Sequence, residues 1–477
     1  MSDDGLPPTT RTPMRGNQSE SVRAKRRASS TPLSSFIVVG IVLVMVLVIA
    51  GIRWLMPHPI DPTPAPAPLL TSVTAGYSGT AQNTHALSPA WASGVDTAWR
   101  IPLEPTSSIS RPIIYSEGSI LYVVIADNNG TSNKVRADAY DVSESTPRQL
   151  WQTSGLRPDY FSPSRIVATD DQLLVGSLVI DKETGTQSQA PWASGEAIAV
   201  AHGIVVTCTR NSECTGWRRE ASSWHEAWKS RTRAPDLNSY DDTYTGVFSG
   251  AVMSSGGKES ILLSVTDPRT PAQLINPDTG TVVDLGLSDD ESSSEGHRDV
   301  LLASDGLVVV GDRTRHTLNA EGFIVDMQPY EPSRRIPTNG GTVPTTAQLN
   351  DFLAGGKPAW TSATVEIEET GDCKRFTLTP TDGSPARRVT PSTASAFGDA
   401  ACAITPDSIR ASSDGSVLSL ETVRRSSTSE FFFIDATSGQ VYASEELNGA
   451  RSRTWVFDDL LVAVTDEGIA AFTPHSF

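Results

Sequence analysis

The stretch LLVGSLVIDKETGTQSQAPW, residues 173–192, contains the pattern that decides the fold. Two runs rich in Val, Leu and Ile are joined by a short Gly-Ser connection, and the second run ends at Asp181. Asp181 opens an Asp-x-x-Thr-Gly turn, in which the Asp side chain caps the turn and Gly185 takes the left-handed conformation that lets the chain reverse. The stretch therefore predicts short antiparallel strands joined by tight turns.

Three further turns resemble the one at Asp181. They are AYDVSEST (139–146), LINPDTGT (274–281) and FIDATSGQ (433–440). The turn residues Asp141 and Asp181 lie 40 positions apart, and Asn276 and Asn319 lie 43 apart. A period of about 40–50 residues with three or four strands in each unit is typical of β-propeller blades. About 380 residues at this period predict seven or eight blades, and the segments lack the apolar period of helical repeats.

The two ends of the repeat region predict how the ring of blades closes. The last unit, residues 454–477, supplies strands but stops before a Trp-bearing outer strand. DTAWRIPLE, residues 96–104, has the character of that missing strand and contains Trp99. We expect this N-terminal strand to complete the C-terminal blade, because the pairing removes two open sheet edges.

The composition suits a turn-rich β protein. The chain has 477 residues, of which 36 are Gly and 32 are Pro, and a collagen-like or coiled-coil chain is excluded. It carries 38 Lys+Arg against 55 Asp+Glu, a formal net charge of −17. Nucleic acid is therefore not expected as a partner, because no basic face dominates.

The N-terminal part predicts a membrane anchor. Residues 1–35 are polar, carry a charge of +3 and are expected to be a disordered cytoplasmic tail. A transmembrane helix is expected over Phe36–Met56, since Phe36–Ile52 has no charged side chain and the segment is long enough to cross a bilayer. The basic residues precede it, so the positive-inside rule places the C-terminal domain outside the cell. A cleaved signal peptide is the alternative, although its apolar region is usually only about 7–15 residues long.

A stalk and the propeller are expected to follow the anchor. Residues 57–95 are rich in Pro, Ala, Ser and Thr, which predicts an extended extracytoplasmic linker. The propeller is expected over residues 96–477. Residues 53–477 carry a net charge of −20, and anionic lipid surfaces repel such a domain. These features together predict a single-pass protein of the cell membrane that holds its propeller away from the bilayer.

All four cysteines lie in the exported part: Cys208, Cys214, Cys373 and Cys402. An even number of cysteines in an exported domain predicts two disulfides. Cys208 and Cys214 form the natural local pair, which leaves Cys373 with Cys402. Reduced, buried thiols are the alternative, and a zinc site is disfavoured because no CxxC occurs.

The opening stretch resembles the pyrroloquinoline-quinone-type (PQQ-like) propeller repeat, in which a hairpin, an Asp-x-x-Thr-Gly turn and a Trp follow one another. Four tryptophans stand where that repeat has its docking Trp, namely Trp99, Trp151, Trp192 and Trp228. The resemblance implies a propeller over about 96–477 in a membrane-anchored bacterial envelope protein, and it concerns the fold rather than the chemistry. A quinone enzyme of this family would carry a calcium site and often two adjacent cysteines, and this sequence has no adjacent cysteines.

The richest cluster of candidate binding residues is CTGWRREASSWHEAW, residues 214–228. Tryptophan and arginine are common hot-spot residues of protein interfaces. We therefore predict a partner-binding surface formed by Trp217, Arg218, Arg219, Trp224 and His225. The alternative is that the tryptophans pack within and between blades, with arginine stacked on them.

The sequence contains no recognised catalytic constellation. Its seven histidines are scattered, and GxSxG, HExxH and GxxxxGKS motifs do not occur. We predict no catalytic residue, no metal ligand and no cofactor, and hence a non-enzymatic scaffold that presents its propeller to another envelope or membrane protein. The alternative is a sensor or enzyme that takes a small ligand, such as a cell-wall saccharide, in the central funnel.

Overall fold

The structure is a computed structural model, and it describes a large part of the expected propeller. The described residues are 73–74, 87–103, 112–128, 133–155, 166–192, 195–209, 211–220, 223–233, 235, 250, 252–255, 257–263, 272–285, 299–311, 313–330, 335–338, 344–357, 360–370, 373–391, 408–423, 429–448, 450 and 452–475. They belong to the compact unit Pro66–Phe477. The predicted tail (1–35) and transmembrane segment (36–56) lie outside the described residues. Within the described ranges no helix is long and apolar enough to cross a membrane.

Short strands account for most of the described chain. Two of them precede the first blade, namely β1 (Val73–Thr74) and β2 (Val95–Pro102). Blade 1 contains β3 (Ile113–Glu117), β4 (Ile120–Asn128), β5 (Asn133–Asp141) and β6 (Arg148–Ser154). Blade 2 contains β7 (Val167–Ala168), β8 (Gln172–Val175), β9 (Leu178–Asp181) and β10 (Gln187–Gln189). Blade 3 contains β11 (Glu196–Ala201), β12 (Ile204–Thr209), β13 (Glu213–Glu220) and β14 (Ser223–Arg231). Blade 4 contains β15 (Val252–Ser255), β16 (Lys258–Leu263), β17 (Gln273–Ile275) and β18 (Val282–Asp284).

The second half of the chain repeats this arrangement. Blade 5 contains β19 (Asp299–Ala303), β20 (Gly306–Val310), β21 (Thr314–Asn319) and β22 (Ile324–Pro329). Blade 6 contains β23 (Arg335–Pro337), β24 (Ala363–Thr370), β25 (Cys373–Pro380) and β26 (Arg387–Val389). Blade 7 contains β27 (Ser408–Ala411), β28 (Val417–Val423), β29 (Ser429–Asp435) and β30 (Val441–Tyr442). Blade 8 takes its first three strands from β31 (Ser452–Phe457), β32 (Leu460–Thr465) and β33 (Gly468–Pro474). Helix α1 (Thr346–Leu353) lies between β23 and β24, and helix α2 (Glu445–Asn448) follows β30.

The described strands form eight antiparallel blades, and within each blade they pair in chain order except where β2 joins blade 8. Blade 2 gains β1 as a fifth strand beside β7. The fold is therefore an eight-bladed β-propeller, the larger of the two counts expected from the sequence. The sequence left seven and eight blades open because the spacing between units is irregular. Insertions such as the one that contains α1 separate strands of a single blade.

The predicted ring closure is confirmed. Strand β2 pairs with β33 in antiparallel register from Val95 opposite Pro474 to Pro102 opposite Gly468. The sheet order β2-β33-β32-β31 makes the N-terminal strand the outer strand of blade 8. Trp99 of β2 is buried in the apolar cluster between blades 8 and 1.

The packed part of the chain begins before residue 96, where the linker was expected to end. Residues Pro89–Ser93 form a 3₁₀ helix, and Trp91 at its centre is fully buried. The Trp91 ring stacks on Phe433 at a centroid distance of 4.2 Å, and its Nε1 donates to the carbonyl of Asp458 at 2.9 Å. This segment therefore packs against blades 7 and 8, so residues 89–95, which the sequence assigned to the linker, belong to the propeller.

The repeated turns have the predicted geometry. In blade 2, the backbone N–H and the hydroxyl of Thr184 both donate to Asp181 Oδ1 at 2.8 Å. Asn276 of blade 4 receives the same two bonds from Thr279 at 3.0 and 3.1 Å. The glycines of the three Gly-containing turns have φ values of +72°, +71° and +73°, at Gly185, Gly280 and Gly439. These left-handed conformations explain why the repeat places glycine there.

Two of the four expected docking tryptophans lie on the turn of the next blade. Trp151 of β6 donates from Nε1 to the carbonyl of Lys182 at 2.9 Å, and Trp228 of β14 donates to the carbonyl of Pro277 at 2.5 Å. Each indole thus covers a turn of the Asp181 type in the following blade. This contact joins neighbouring blades through one hydrogen bond and one apolar face.

Trp192 does not follow this pattern. Its Nε1 donates to the carbonyl of Gly176, in its own blade, at 2.8 Å. Trp192 lies beyond the outer strand β10 rather than within it, which accounts for this difference from Trp151 and Trp228. It packs instead against Trp217 and Trp224 of blade 3, at centroid distances of 5.7 and 5.5 Å.

The hydrophobic core is divided among the junctions between blades. The cluster between blades 2 and 3, for example, combines Leu174 and Val179 with Val200 and Val205. Helix α1 buries Leu349 and Phe352 against blade 5. The buried residues of these clusters come mainly from the first three strands of each blade, which leaves the outer strands for contact with other molecules.

The predicted disulfide between Cys208 and Cys214 is confirmed. The two residues lie directly opposite each other in β12 and β13, with a Cα–Cα distance of 4.1 Å. Cys373 opens β25, whereas Cys402 lies outside the described residues, so the second disulfide stays a prediction.

Candidate interaction surfaces

The five residues predicted to bind a partner lie on the outer hairpin of blade 3, formed by β13 and β14. The strand register sets Arg219 opposite Trp224 and Arg218 opposite His225. Since neighbouring residues of a strand point to opposite faces, Trp217, Arg219 and Trp224 share one face of the hairpin. Arg218 and His225 occupy the other face and are exposed.

The aromatic face of this hairpin is committed to the junction with blade 2. Trp217 and Trp224 are half-buried against Trp192. Trp217 also donates from Nε1 to the hydroxyl of Thr207 at 3.0 Å. The alternative interpretation of the sequence, in which the tryptophans pack between blades, therefore describes these two side chains.

Arg219 is also engaged within the molecule. Its Nη1 donates to both carboxylate oxygens of Asp171, in blade 2, at 2.8 and 2.7 Å. The guanidinium carbon lies 6.0 Å from the centroid of the Trp224 ring. Solvent reaches both partners, so this ion pair adds at most about 1 kcal/mol to the stability of the junction.

Arg218 and His225 are the two predicted residues that the hairpin presents to solvent. His225 Nε2 lies 3.9 Å from Glu220 Oε2, and both side chains are exposed. Binding of a partner by these residues stays a prediction.

A second surface, which the sequence analysis missed, lies on the outer strand of blade 5. Phe323, Ile324, Val325 and Met327 are 60%, 43%, 61% and 59% exposed. Among the described residues only two other large apolar side chains, Leu150 and Phe457, are exposed to a comparable degree. We call the segment Phe323–Met327 the apolar edge. Contiguous exposed apolar side chains of this kind mark interaction sites on soluble domains.

The apolar edge is exposed because of its position in the blade. Strand β22 pairs with β21 on one side, and the sheet order ends at β22. The register moves from Thr317 opposite Asp326 to Leu318 opposite Ile324, so Val325 is the extra residue of a β-bulge. A strand with one neighbour, and with apolar side chains on successive residues, leaves apolar surface on both of its faces.

Local contacts fix both ends of the apolar edge. At the start, the backbone N–H of Phe323 donates to Asn319 Oδ1 at 3.0 Å. At the end, Gln328 accepts a hydrogen bond from the buried Arg315, which in turn donates to the carbonyl of Asn350 in α1 at 3.0 Å. The exposed side chains are therefore presented on an anchored strand, which lowers the entropic cost of binding a partner.

Asp326 is the one charged residue of the segment 323–329. Its Oδ1 accepts from the backbone N–H of Met327 at 2.9 Å, and its Oδ2 accepts from Gln328 Nε2 at 2.7 Å. The carboxylate is exposed, so the middle of the apolar edge carries negative charge.

Buried ionisable groups elsewhere bear on the rival interpretation as an enzyme or sensor. Arg453 and Glu421 form a buried ion pair of 2.9 Å between blades 8 and 7. Asp138 is fully buried and pairs with Arg136 at 2.8 Å. Burial raises the pKa of Asp138 above its ordinary value, and the hydrogen bonds from Arg136 offset this only in part. Asp138 lies on β5, the third strand of its blade, so it is placed to hold the sheet together rather than to face the central funnel.

No group of three or more His, Cys, Asp and Glu side chains in the described part of the chain is placed to hold a metal ion. The carboxylates of the acidic stretch LSDDESSSEG, residues 287–296, lie outside the described residues.

The comparisons with known proteins show similarity of fold. No family model matches the sequence, and no curated protein matches it. Among solved structures, the C-terminal WD40 domain of Sif2 is 9% identical, with 79% of this chain and 99% of that chain covered and a TM-score of 0.40. BamB from Moraxella catarrhalis is 11% identical, with 80% and 98% covered and a TM-score of 0.34. Sqt1 from Chaetomium thermophilum is 8% identical, with 80% and 100% covered and a TM-score of 0.40.

The chain is a β-propeller. The strand pairing carries this conclusion, because the identities and TM-scores are too low to support more. The resemblance to the PQQ-type repeat stays a prediction, since no family model matches.

Proposed function

We propose that the protein is a non-enzymatic scaffold of the cell envelope that holds another envelope protein on the outer side of its propeller. The observation that carries this proposal is the apolar edge of blade 5, where four neighbouring apolar side chains are exposed. Removal of this apolar surface from water favours association. Side chains held on an anchored strand suit that role, because little conformational freedom is lost when a partner covers them.

The membrane anchor is part of the same proposal and rests on the sequence. Phe36–Ile52 is uncharged and follows a basic tail, which supports a single-pass protein with its propeller outside the cytoplasm. The net charge of −20 over residues 53–477 supports a propeller that anionic lipids repel. Such a propeller would stand away from the bilayer, where it is accessible to a partner.

Co-purification tests the proposal. The full chain with a C-terminal tag is isolated from mildly solubilised membranes, and companions present at equal amounts are identified by mass spectrometry. We expect a companion that the double variant Val325→Ser/Met327→Ser loses. The matched control is Arg218→Ser/His225→Ser on the blade 3 hairpin, which should keep it.

Two results would contradict the proposal. A solitary protein argues against a scaffold and favours the rival interpretation, a sensor or enzyme for a small ligand in the funnel. A companion that is lost only in the blade 3 variant would show that the sequence-predicted surface, rather than the apolar edge, binds the partner.

A further inference from the structure

We infer that the apolar edge binds an extended segment of a different protein by strand addition, so that the partner contributes a fifth strand to blade 5. This inference rests on the proposed function, since it describes how the same surface would hold its partner. It specifies the chemistry of that partner: alternating apolar side chains, and a Lys or Arg placed opposite Asp326.

The hydrogen-bond pattern shows which backbone groups of β22 point away from the blade. The N–H of Tyr330 donates to the carbonyl of Arg313 at 2.8 Å, which makes these two residues a hydrogen-bonded pair. In an antiparallel ladder such pairs alternate with non-bonded ones. The same register pairs His316 with Met327, three positions along, so Met327 belongs to a non-bonded pair. Its N–H and its carbonyl therefore point toward the open edge of the sheet.

The open edge has a bulge at Val325 and one charge at Asp326, but it lacks the other protection that edge strands usually have. Lys and Arg are absent from 323–329, and Pro329 removes an N–H only at the end of the strand. Among the described residues, the backbone N–H of Met327 donates to the neighbouring Asp326 carboxylate alone. That bond is local and solvent-exposed, so an incoming strand can replace it with its own carbonyl, which leaves Asp326 to pair with a cation.

Size and charge argue against a second copy of this chain as the occupant. Four side chains of this exposure form a patch on the order of 300 Å². A stable protein interface needs roughly 800 Å² from each partner. Two chains of net charge −17 also repel each other. A single extended segment with flanking Lys or Arg matches both the small apolar area and the negative charge at Asp326.

The test uses the full chain in mild detergent and a defined probe. The probe is a fluorescein-labelled, acetylated peptide of about ten residues that alternates Val with Lys or Thr. Met327→Pro removes the outward N–H, whereas Met327→Ala shortens the side chain and keeps it. We expect the Pro variant to bind the peptide at least roughly tenfold more weakly than the Ala variant, by fluorescence polarisation.

Hydrogen exchange measured by mass spectrometry gives a second reading that does not depend on any variant. The peptide should slow exchange in the segment 323–329 of the wild-type chain, because strand addition protects the Met327 amide. Asp326→Asn should weaken binding and flatten its dependence on salt, since it removes the charge that attracts the cation.

Several outcomes would overturn the inference. They are equal affinity of the Pro and Ala variants, unchanged exchange in 323–329, or no peptide binding at about millimolar concentration. A wild-type dimer in sedimentation velocity that Met327→Pro abolishes would show a second copy on the edge. If the co-purified companion still depends on Val325 and Met327 in any of these cases, the proposed function stands and only strand addition fails.

Discussion

The outer hairpin of blade 3 and the outer strand of blade 5 occupy equivalent places in the propeller, yet they use their apolar side chains in opposite ways. The blade 3 hairpin contains three tryptophans, and each is half-buried against a neighbouring blade. The blade 5 strand has no tryptophan, and its Phe, Ile, Val and Met side chains face solvent. Aromatic content alone therefore does not identify a binding surface, because a propeller uses its tryptophans to join blades.

The largest effect that separates the two regions should follow from Trp228→Ala. The indole covers the Asn276 turn of blade 4 and donates to Pro277, so its loss leaves a gap at the blade 3–4 junction. We expect the free energy of unfolding to fall by about 3 kcal/mol, at the lower end of the range for replacing a buried aromatic side chain by alanine. Urea unfolding followed by circular dichroism measures this.

Two variants serve as controls for Trp228→Ala. Lys229→Ala removes the exposed neighbour on the same strand and should change stability by less than about 0.5 kcal/mol. Val325→Ser on the apolar edge should do the same, since its side chain is already in water. An unchanged unfolding midpoint for Trp228→Ala would mean that this indole is available for a partner after all, and the contrast between the two regions would disappear.

The next effect in size concerns the glycine beneath that indole. A Cβ added at Gly280 would lie 2.6 Å from the Trp228 ring, and its φ of +71° disfavours any side chain. Gly257 has a similar φ of +79° with nothing within 4 Å of an added Cβ, so Gly257→Ala carries only the backbone strain. We expect Gly280→Ala to lower the free energy of unfolding by about 1–2 kcal/mol more than Gly257→Ala does.

A double variant shows whether the extra cost comes from the indole. In the Trp228→Ala background the contact with the indole is gone and the 2.7 Å contact of the added Cβ with Ser230 Oγ remains, so most of the extra cost of Gly280→Ala over Gly257→Ala should disappear. If the whole extra cost persists there, the turn and Ser230 rather than the tryptophan set the requirement for glycine.

Much of the fold could be predicted because its signals lie in short stretches of sequence. The Asp-x-x-Thr-Gly turns, the Cys208–Cys214 disulfide and the closing strand around Trp99 each have a local signature. The blade count could not be fixed, because the insertion that contains α1 separates β23 from β24 of blade 6. The packing of Trp91 was also missed, since a Pro- and Ala-rich stretch does not show what its one tryptophan will contact.

The apolar edge was missed for a specific reason. Read alone, Phe323–Met327 has the pattern of an ordinary buried strand, and only the sheet order shows it to be the outer one. The other blades offer no clear contrast. In blade 2 the strand after the turn, Gln187–Gln189, is polar, but in blades 4 and 7 the equivalent strands, Val282–Asp284 and Val441–Tyr442, begin with apolar residues. An apolar strand after the turn therefore does not by itself single out blade 5.

The smallest effect concerns the turns that the docking tryptophans cover. Trp151 lies on a turn capped by Asp181, and Trp228 lies on one capped by Asn276, so a charged and a neutral side chain hold the same geometry. The Thr184 hydroxyl and N–H donate to Asp181 and hold its pKa below its ordinary value. Asp181 therefore contributes stability that is present above the unfolded pKa of about 3.9 and is lost as pH falls through the lower folded value.

Replacing Asp181 by Asn should remove that pH dependence while keeping the turn. At neutral pH the variant should unfold within about 0.5 kcal/mol of the wild type, because Asn276 already shows that an amide oxygen accepts the same bonds. Below about pH 4 the wild type should lose stability faster than the variant. Asn276→Asp is the reciprocal change and should introduce the same acid sensitivity beneath Trp228. If neither change alters the difference between unfolding midpoints at neutral and acidic pH, the charge on Asp181 makes no contribution, and the two turns are held by geometry alone.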